Sequence, residues 1–135
     1  MIEYKDKEIT EKIIGSAMGV HAALGNGFQE VIYQRALEIE MNDSGLHFER
    51  EFSMPVYYKN QQIGERRVDF FVEHKIMVEL KAITQLENVH LAQAKNYLEA
   101  YNVQVGLLLN FGSTSLQFKR LENQKFVGIP FPINP

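Results

Sequence analysis

The chain has 135 residues, 45% hydrophobic and 23% charged, with a formal net charge of −3 and no cysteine. These are ordinary globular proportions, sufficient for one compact domain spanning 1–135. They exclude a disulfide framework, thiolate metal sites and cysteine nucleophiles, and the acidic balance argues against a protein that coats nucleic acid nonspecifically. No apolar run approaches membrane-spanning length. The charged start, Met1 to Lys7, introduces no signal-type apolar segment, so a cytoplasmic protein without membrane attachment is expected.

Residues 10–24 read as a first helix: Thr10 offers an N-cap, and Ile13, Ala17, Val20 and Leu24 recur at helical spacing. Gly25-Asn26-Gly27 stops it and supplies the freedom for a sharp turn. A second helix follows over 29–43, with Tyr33, Leu37 and Met41 on one face and Gly45 just beyond. Strands are expected over 47–52, 56–59 and 63–72, the last two joined by a turn at Asn60-Gln61-Gln62. A polar tip at Glu73-His74-Lys75 then folds the chain back, as a tight hairpin, into a strand over 76–82. Thr84-Gln85-Leu86-Glu87 has capping-box spacing, with Asn88 an alternative cap, for a helix reaching about residue 101. The apolar run 103–110 reads as a strand buried on both faces, parallel to 76–82 through a right-handed helical crossover. Segments 116–121 and 125–127 are expected to form a closing hairpin. The proline-punctuated tail 129–135 cannot join a central strand and is taken as peripheral, like the first nine or so residues. As an arm, the tail would suit a homodimer or a larger complex.

Folding the chain about His74 sets Asp69 opposite Glu79, to within one residue of register. Side chains alternate along a strand, so Glu79 and Lys81 share a face while Leu80 points to the other. Two carboxylates and an ammonium thus converge on one patch, which suits a hard divalent cation and a phosphodiester. Mg²⁺ or Mn²⁺ can be held by one or two carboxylates plus substrate oxygens. Asp69 and Glu79 supply the carboxylates, and the backbone carbonyl of Leu80 a further oxygen. Lys81 would orient the attacking water or offset charge at phosphorus. Glu-x-Lys on an exposed strand is also an ordinary solvated ion pair.

Two more segments bear on the patch. Glu30 and Tyr33 lie three apart at the start of the second helix, on adjoining turns of one face; Glu30 also complements the helix dipole there, and Tyr33 suits a core position. His90, Gln93 and Tyr97 fall on one narrow helical stripe, polar where a purely structural helix would carry leucine. The four histidines have no zinc-type spacing, and there is no nucleophile elbow or glycine-rich phosphate loop.

Together these segments resemble the GxxExxY family, a branch of the PD-(D/E)xK nuclease superfamily. Gly27, Glu30 and Tyr33 match the naming motif; Asp69 and Glu79-Leu80-Lys81 match the nuclease core; Gln93 and Tyr97 match the QxxxY element of RecB-like nucleases. The likeness extends over about residues 10–121, with Val68 in place of the proline of the nominal PD and Asn26 where the turn would carry proline. It implies an α/β (α+β) restriction-endonuclease-like fold, a central mixed β-sheet flanked by helices. It implies a Mg²⁺- or Mn²⁺-dependent nuclease acting on nucleic acid, DNA before RNA. Asp69, Glu79 and Lys81 would form the catalytic core, and Glu30 would reach in as a further metal or water ligand. Gln93, Tyr97, Tyr33 and His90 would line the substrate site. The competing expectation is a catalytically silent nuclease fold serving as a binding or assembly subunit.

Overall fold

A computed structural model describes residues 6–128; the tail 129–135 and the first five residues lie outside them. The element order is α1 (Lys7–Leu24), α2 (Glu30–Asp43), β1 (Phe48–Tyr58), β2 (Gln61–Val72), β3 (Ile76–Lys81), α3 (Asn88–Ala100), β4 (Val105–Asn110) and β5 (Gln117–Glu122). The five strands form one mixed sheet in the order β1-β2-β3-β4-β5, with β3 and β4 parallel and the other neighbours antiparallel. No helix among the described residues is long and apolar enough to cross a membrane.

Helical periodicity builds the first layer. Ile13, Ala17 and Val20 of α1 and Tyr33, Leu37 and Met41 of α2 are buried together against Phe70, Val72, Val78, Leu80, Leu107 and Leu109 of the sheet. Thr10 is not the cap. The helix starts a turn earlier, and the buried Thr10 hydroxyl donates to the Lys7 carbonyl at 3.0 Å. A hydroxyl inside a helix satisfies itself on the preceding turn. On the opposite face α3 sets Leu98 against Met77, and Ala94 against Leu108. The expected crossover is present: Ile76 pairs with Val105 and Lys81 with Asn110, with α3 between the two strands. The cap of α3 is Glu87 rather than Thr84 or Asn88.

Three expectations for the sheet change. The segments 47–52 and 56–59 are one continuous strand, with Pro55 paired to Glu65. Proline is tolerated because β1 is an edge strand and its outer side needs no donor. The turn after it is tighter than Asn60-Gln61-Gln62: Lys59 and Asn60 both have positive φ, 49° and 64°, as a two-residue hairpin turn requires. Residues 125–127 form no strand. Asn123 folds them into a turn instead, accepting the Lys125 N–H on its side chain at 2.8 Å and donating to the Leu98 carbonyl at 3.1 Å.

The β1–β2 ribbon also turns over. Phe48, Phe70 and Val72 pack with α1 and α2, whereas Phe52 and Val68 pack on the other side of the sheet. The switch falls at Glu51, whose φ is 53°, and at Asp69, the residue that register places across from it. Beyond this point β2 stays paired to β1 but leaves β3: the β2–β3 ladder ends at Phe70↔Val78. The gap so opened holds the site.

Candidate active site

Asp69 stands where β2 leaves the ladder, and its carboxylate replaces the missing backbone acceptor. Its Oδ2 accepts the Leu80 N–H at 2.8 Å, and its Oδ1 accepts the Gln34 side-chain amide at 2.9 Å. Gln34 is itself fixed from behind, because its carbonyl oxygen accepts from Arg50 Nη1 at 3.2 Å. The amide is thereby oriented with its donor toward Asp69, and each Asp69 oxygen keeps a second acceptor site. A residue's N–H and C=O leave a strand on the same side. The Leu80 carbonyl therefore faces the gap beside Asp69, while the Lys81 carbonyl turns toward β4 and accepts the Phe111 N–H at 2.9 Å.

Glu79 and Lys81 share the α3 face of β3, as alternation requires. Glu79 is only 8% exposed. Its Oε2 accepts from Arg66 Nη2 at 3.0 Å, and its Oε1 is buried without a hydrogen-bond partner among the described residues. The Arg66 guanidinium lies over the Tyr97 ring at 3.9 Å. Arg66, Glu79, Lys81, His90, Gln93 and Tyr97 line one cleft between β2, β3 and α3. The polar stripe of α3 thus faces the patch. His90 also serves the helix start, its Nδ1 accepting the Glu87 N–H at 3.0 Å.

Glu30 lies on the other side of Asp69, exposed in the first turn of α2. Tyr33 places it there. That side chain is wholly buried, stacks on Phe111 with centroids 4.7 Å apart, and closes the preceding turn. Its hydroxyl donates to the Gly25 carbonyl at 2.6 Å and accepts the Phe28 N–H at 3.1 Å. Tyr33, expected among the residues lining the substrate site, therefore sits in the core and holds the turn that leads into α2. Gln34 and Arg66 were not anticipated from the sequence.

All three carboxyls are pushed toward the protonated form. Burial raises Glu79 to about 7, with Asp69 adding to the rise and Arg66 and Lys81 opposing it. Burial likewise raises Asp69, against hydrogen bonds from Leu80 and Gln34; Glu30, exposed at its outer side, is raised by partial desolvation, with Asp69 adding and Lys81 opposing. Loss of water is the leading cause in all three. Among the described residues no three acidic or histidine side chains stand close enough to share one ion. Asp69 and Glu79, with the unpaired Glu79 Oε1 and the Leu80 carbonyl, still suit an ion such as Mg²⁺, which asks for only one or two carboxylates. A larger hollow of about 240 Å³ near His47 and His74, at the opposite end of the β2–β3 hairpin, lies away from this chemistry.

The raised Glu79 has a stability consequence. A carboxyl titrating near 7 when folded and near 4.5 when unfolded binds its proton more tightly in the folded state. Its contribution is therefore complete below about 4.5 and lost as pH rises to about 7. In urea denaturation with chelator present, the stability of Glu79→Gln relative to wild type should rise between pH 5 and pH 8, by about 2–3 kcal/mol. A difference that stays flat, or falls, would contradict the assigned burial.

The model of the PD-(D/E)XK nuclease superfamily matches residues 7–121. The chain belongs to that superfamily. The matched residues of this PD-(D/E)XK protein include Val68-Asp69 and Glu79-Leu80-Lys81, the segments that resemble the superfamily's core motif. The mixed five-stranded sheet flanked by helices is the restriction-endonuclease-like arrangement expected of the superfamily. The solved structure of SSO0001 is similar in fold, with a TM-score of 0.54 at 17% identity over 87% of this chain. The chain spans 59% of that protein's length. No curated protein matches the sequence.

Proposed function

We propose that this PD-(D/E)XK domain is a Mg²⁺- or Mn²⁺-dependent nuclease of the GxxExxY branch, hydrolysing phosphodiester bonds in nucleic acid, DNA before RNA. The observation that carries the reading is the splay of β2 from β3. It brings Asp69 beside Glu79 and the Leu80 carbonyl, and leaves Glu79 Oε1 buried and unpaired. The branch assignment is supported by what its motif does here: Tyr33 clamps the Gly25–Phe28 turn and sets Glu30 beside Asp69 and Lys81.

Asp69, Glu79 and the Leu80 carbonyl would hold the ion, with Glu30 as a further oxygen acting through water. The bound ion would supply polarisation of the phosphoryl group and a water of lowered pKa. Lys81 holds positive charge beside the carboxylates, where it orients the attacking water and offsets charge growing on the phosphoryl oxygens. Gln34 fixes the Asp69 carboxylate, so that little rearrangement is needed when the ion is taken up. Gln93, Tyr97 and His90 would steady the nucleic-acid backbone along the α3 wall.

A silent binding module is the second reading, favoured by the Arg66–Glu79 pair, which neutralises part of the cluster without any ion. Calorimetric titration with MnCl₂ separates the two. The nuclease reading predicts a binding isotherm that Asp69→Asn abolishes. No heat at millimolar Mn²⁺ with the wild-type carboxylates intact would favour the silent module.

A further inference from the structure

We propose that Arg66 is a shared cation of the site: it occupies Glu79 while no divalent ion is present, and binds a phosphate of the nucleic acid once one is. The proposal rests on the metal-dependent reading above and concerns a residue outside all three sequence motifs.

Three contacts define Arg66. Its Nη2 donates to Glu79 Oε2 at 3.0 Å, its Nη1 donates to the Arg67 carbonyl at 2.6 Å, and its guanidinium carbon lies over the Tyr97 ring, 3.9 Å from the centroid. The Nε is buried and has no hydrogen-bond partner among the described residues. Only one of these contacts, that to Glu79, is an ion pair. The contact with the ring occupies a face of the guanidinium and uses none of its N–H donors, so the Nη2 donors, now on Glu79, can pass to another oxygen anion without loss of that contact.

The carboxylate that pairs with Arg66 is the one a divalent ion would need. An ion at Glu79 Oε1 and the guanidinium at Oε2 would repel each other across a poorly hydrated gap, so Arg66 and the ion compete for the one carboxylate. A guanidinium displaced from Glu79 keeps its contacts with the Tyr97 ring and the Arg67 carbonyl and has Nη2 open, in the cleft lined by Lys81 and Gln93. An anion that enters the cleft together with the ion is the phosphodiester, and arginine's fork matches its oxygens. Ion and nucleic acid are then linked: each should strengthen binding of the other, by the same factor. Selectivity follows, because the ion alone must displace Arg66, whereas the ion with nucleic acid gives Arg66 a new partner.

The test uses the whole chain and two variants, Arg66→Met and Arg66→Lys, each checked for wild-type thermal unfolding. With MnCl₂ alone, Arg66→Met should bind about tenfold more tightly than wild type, the equivalent of about 1.4 kcal/mol. Arg66→Lys keeps the charge and should stay within about twofold of wild type. With a labelled DNA duplex in Ca²⁺, followed by fluorescence anisotropy, both variants should bind at least about fivefold more weakly, since neither has the fork. Unchanged or weaker Mn²⁺ binding by Arg66→Met overturns the proposal. So does wild-type duplex affinity in Arg66→Lys, a result that stands even if Arg66→Met does not fold. Failure of all three proteins to bind Mn²⁺ overturns the metal reading with it, whereas equal Mn²⁺ binding by wild type and Arg66→Met overturns this inference alone.

Discussion

Asp69→Asn is expected to lower Mn²⁺-dependent cleavage by at least about a thousandfold, roughly 4 kcal/mol of transition-state stabilisation. The substitution is nearly isosteric and can still accept the Leu80 N–H, so the local backbone stays in place. It removes one of the two charges that would hold the ion, and its amide nitrogen would face either Leu80 N–H or the Gln34 amide as a second donor. Lys81→Met should cost a comparable factor, about a hundredfold or more, for a different reason. The ion would still bind, because both carboxylates remain, but the charge beside the phosphoryl oxygens is gone. Cleavage assays run beside MnCl₂ titrations distinguish the two. Loss of cleavage with intact Mn²⁺ binding in Lys81→Met, and loss of both in Asp69→Asn, would fit the assigned roles. Equal trace activity in wild type and both variants would remove the case for catalysis by this site.

Gly112→Ala should destabilise the fold by about 3 kcal/mol or more, among the largest effects of any single methyl added to this protein. A Cβ at this position would lie 2.4 Å from both the nitrogen and the oxygen of Ile83 and 2.6 Å from the carbonyl carbon of Ala82. Those are backbone atoms and cannot turn aside as a side chain would. The same crossing is held by Asn110, which is fully buried. Its amide donates to the Ile83 carbonyl and to Gln117, and its oxygen accepts the Ile83 N–H at 2.9 Å and the Gly112 N–H at 3.1 Å. The loop leaving β3 is therefore pinned directly after Lys81. Pushing it away should misplace the lysine as well as loosen the fold, so Gly112→Ala should lose cleavage activity even where urea denaturation shows it still folded. A melting temperature within a degree or two of wild type would contradict the close packing of these two loops.

The legibility of the site in the sequence follows from how local its determinants are. The β2–β3 hairpin was readable because a three-residue polar tip separates two apolar runs, and a tight turn fixes register: Val72↔Ile76 and Phe70↔Val78 place Asp69 beside Glu79. The parallel β4 was readable from a nearly continuous apolar run. Arg66 was not, because alternation counted back from Phe70 puts it on the α1–α2 face. The ribbon turns over between Phe70 and Val68, so Arg66 follows Val68 to the α3 face instead. Nothing in the residue types around Glu51 announces its positive φ. Gln34 was hidden by its neighbour: the stripe Tyr33, Leu37, Met41 reads as apolar, and only the fold shows that the next residue round the helix is buried against Asp69. The Tyr33 motif position was visible, but its role as a buried clamp depends on where the Gly25–Phe28 turn closes.

On the proposed reading Asp69 and Glu79 form one cation site on the splayed edge of β3. Anomalous scattering from crystals soaked in MnCl₂ would reveal it. A manganese peak is expected within coordination distance of both carboxylates and the Leu80 carbonyl, with the Arg66 guanidinium moved off Glu79 and still over the Tyr97 ring. A soaked crystal with no peak there, and with Arg66 still on Glu79 Oε2, would contradict it.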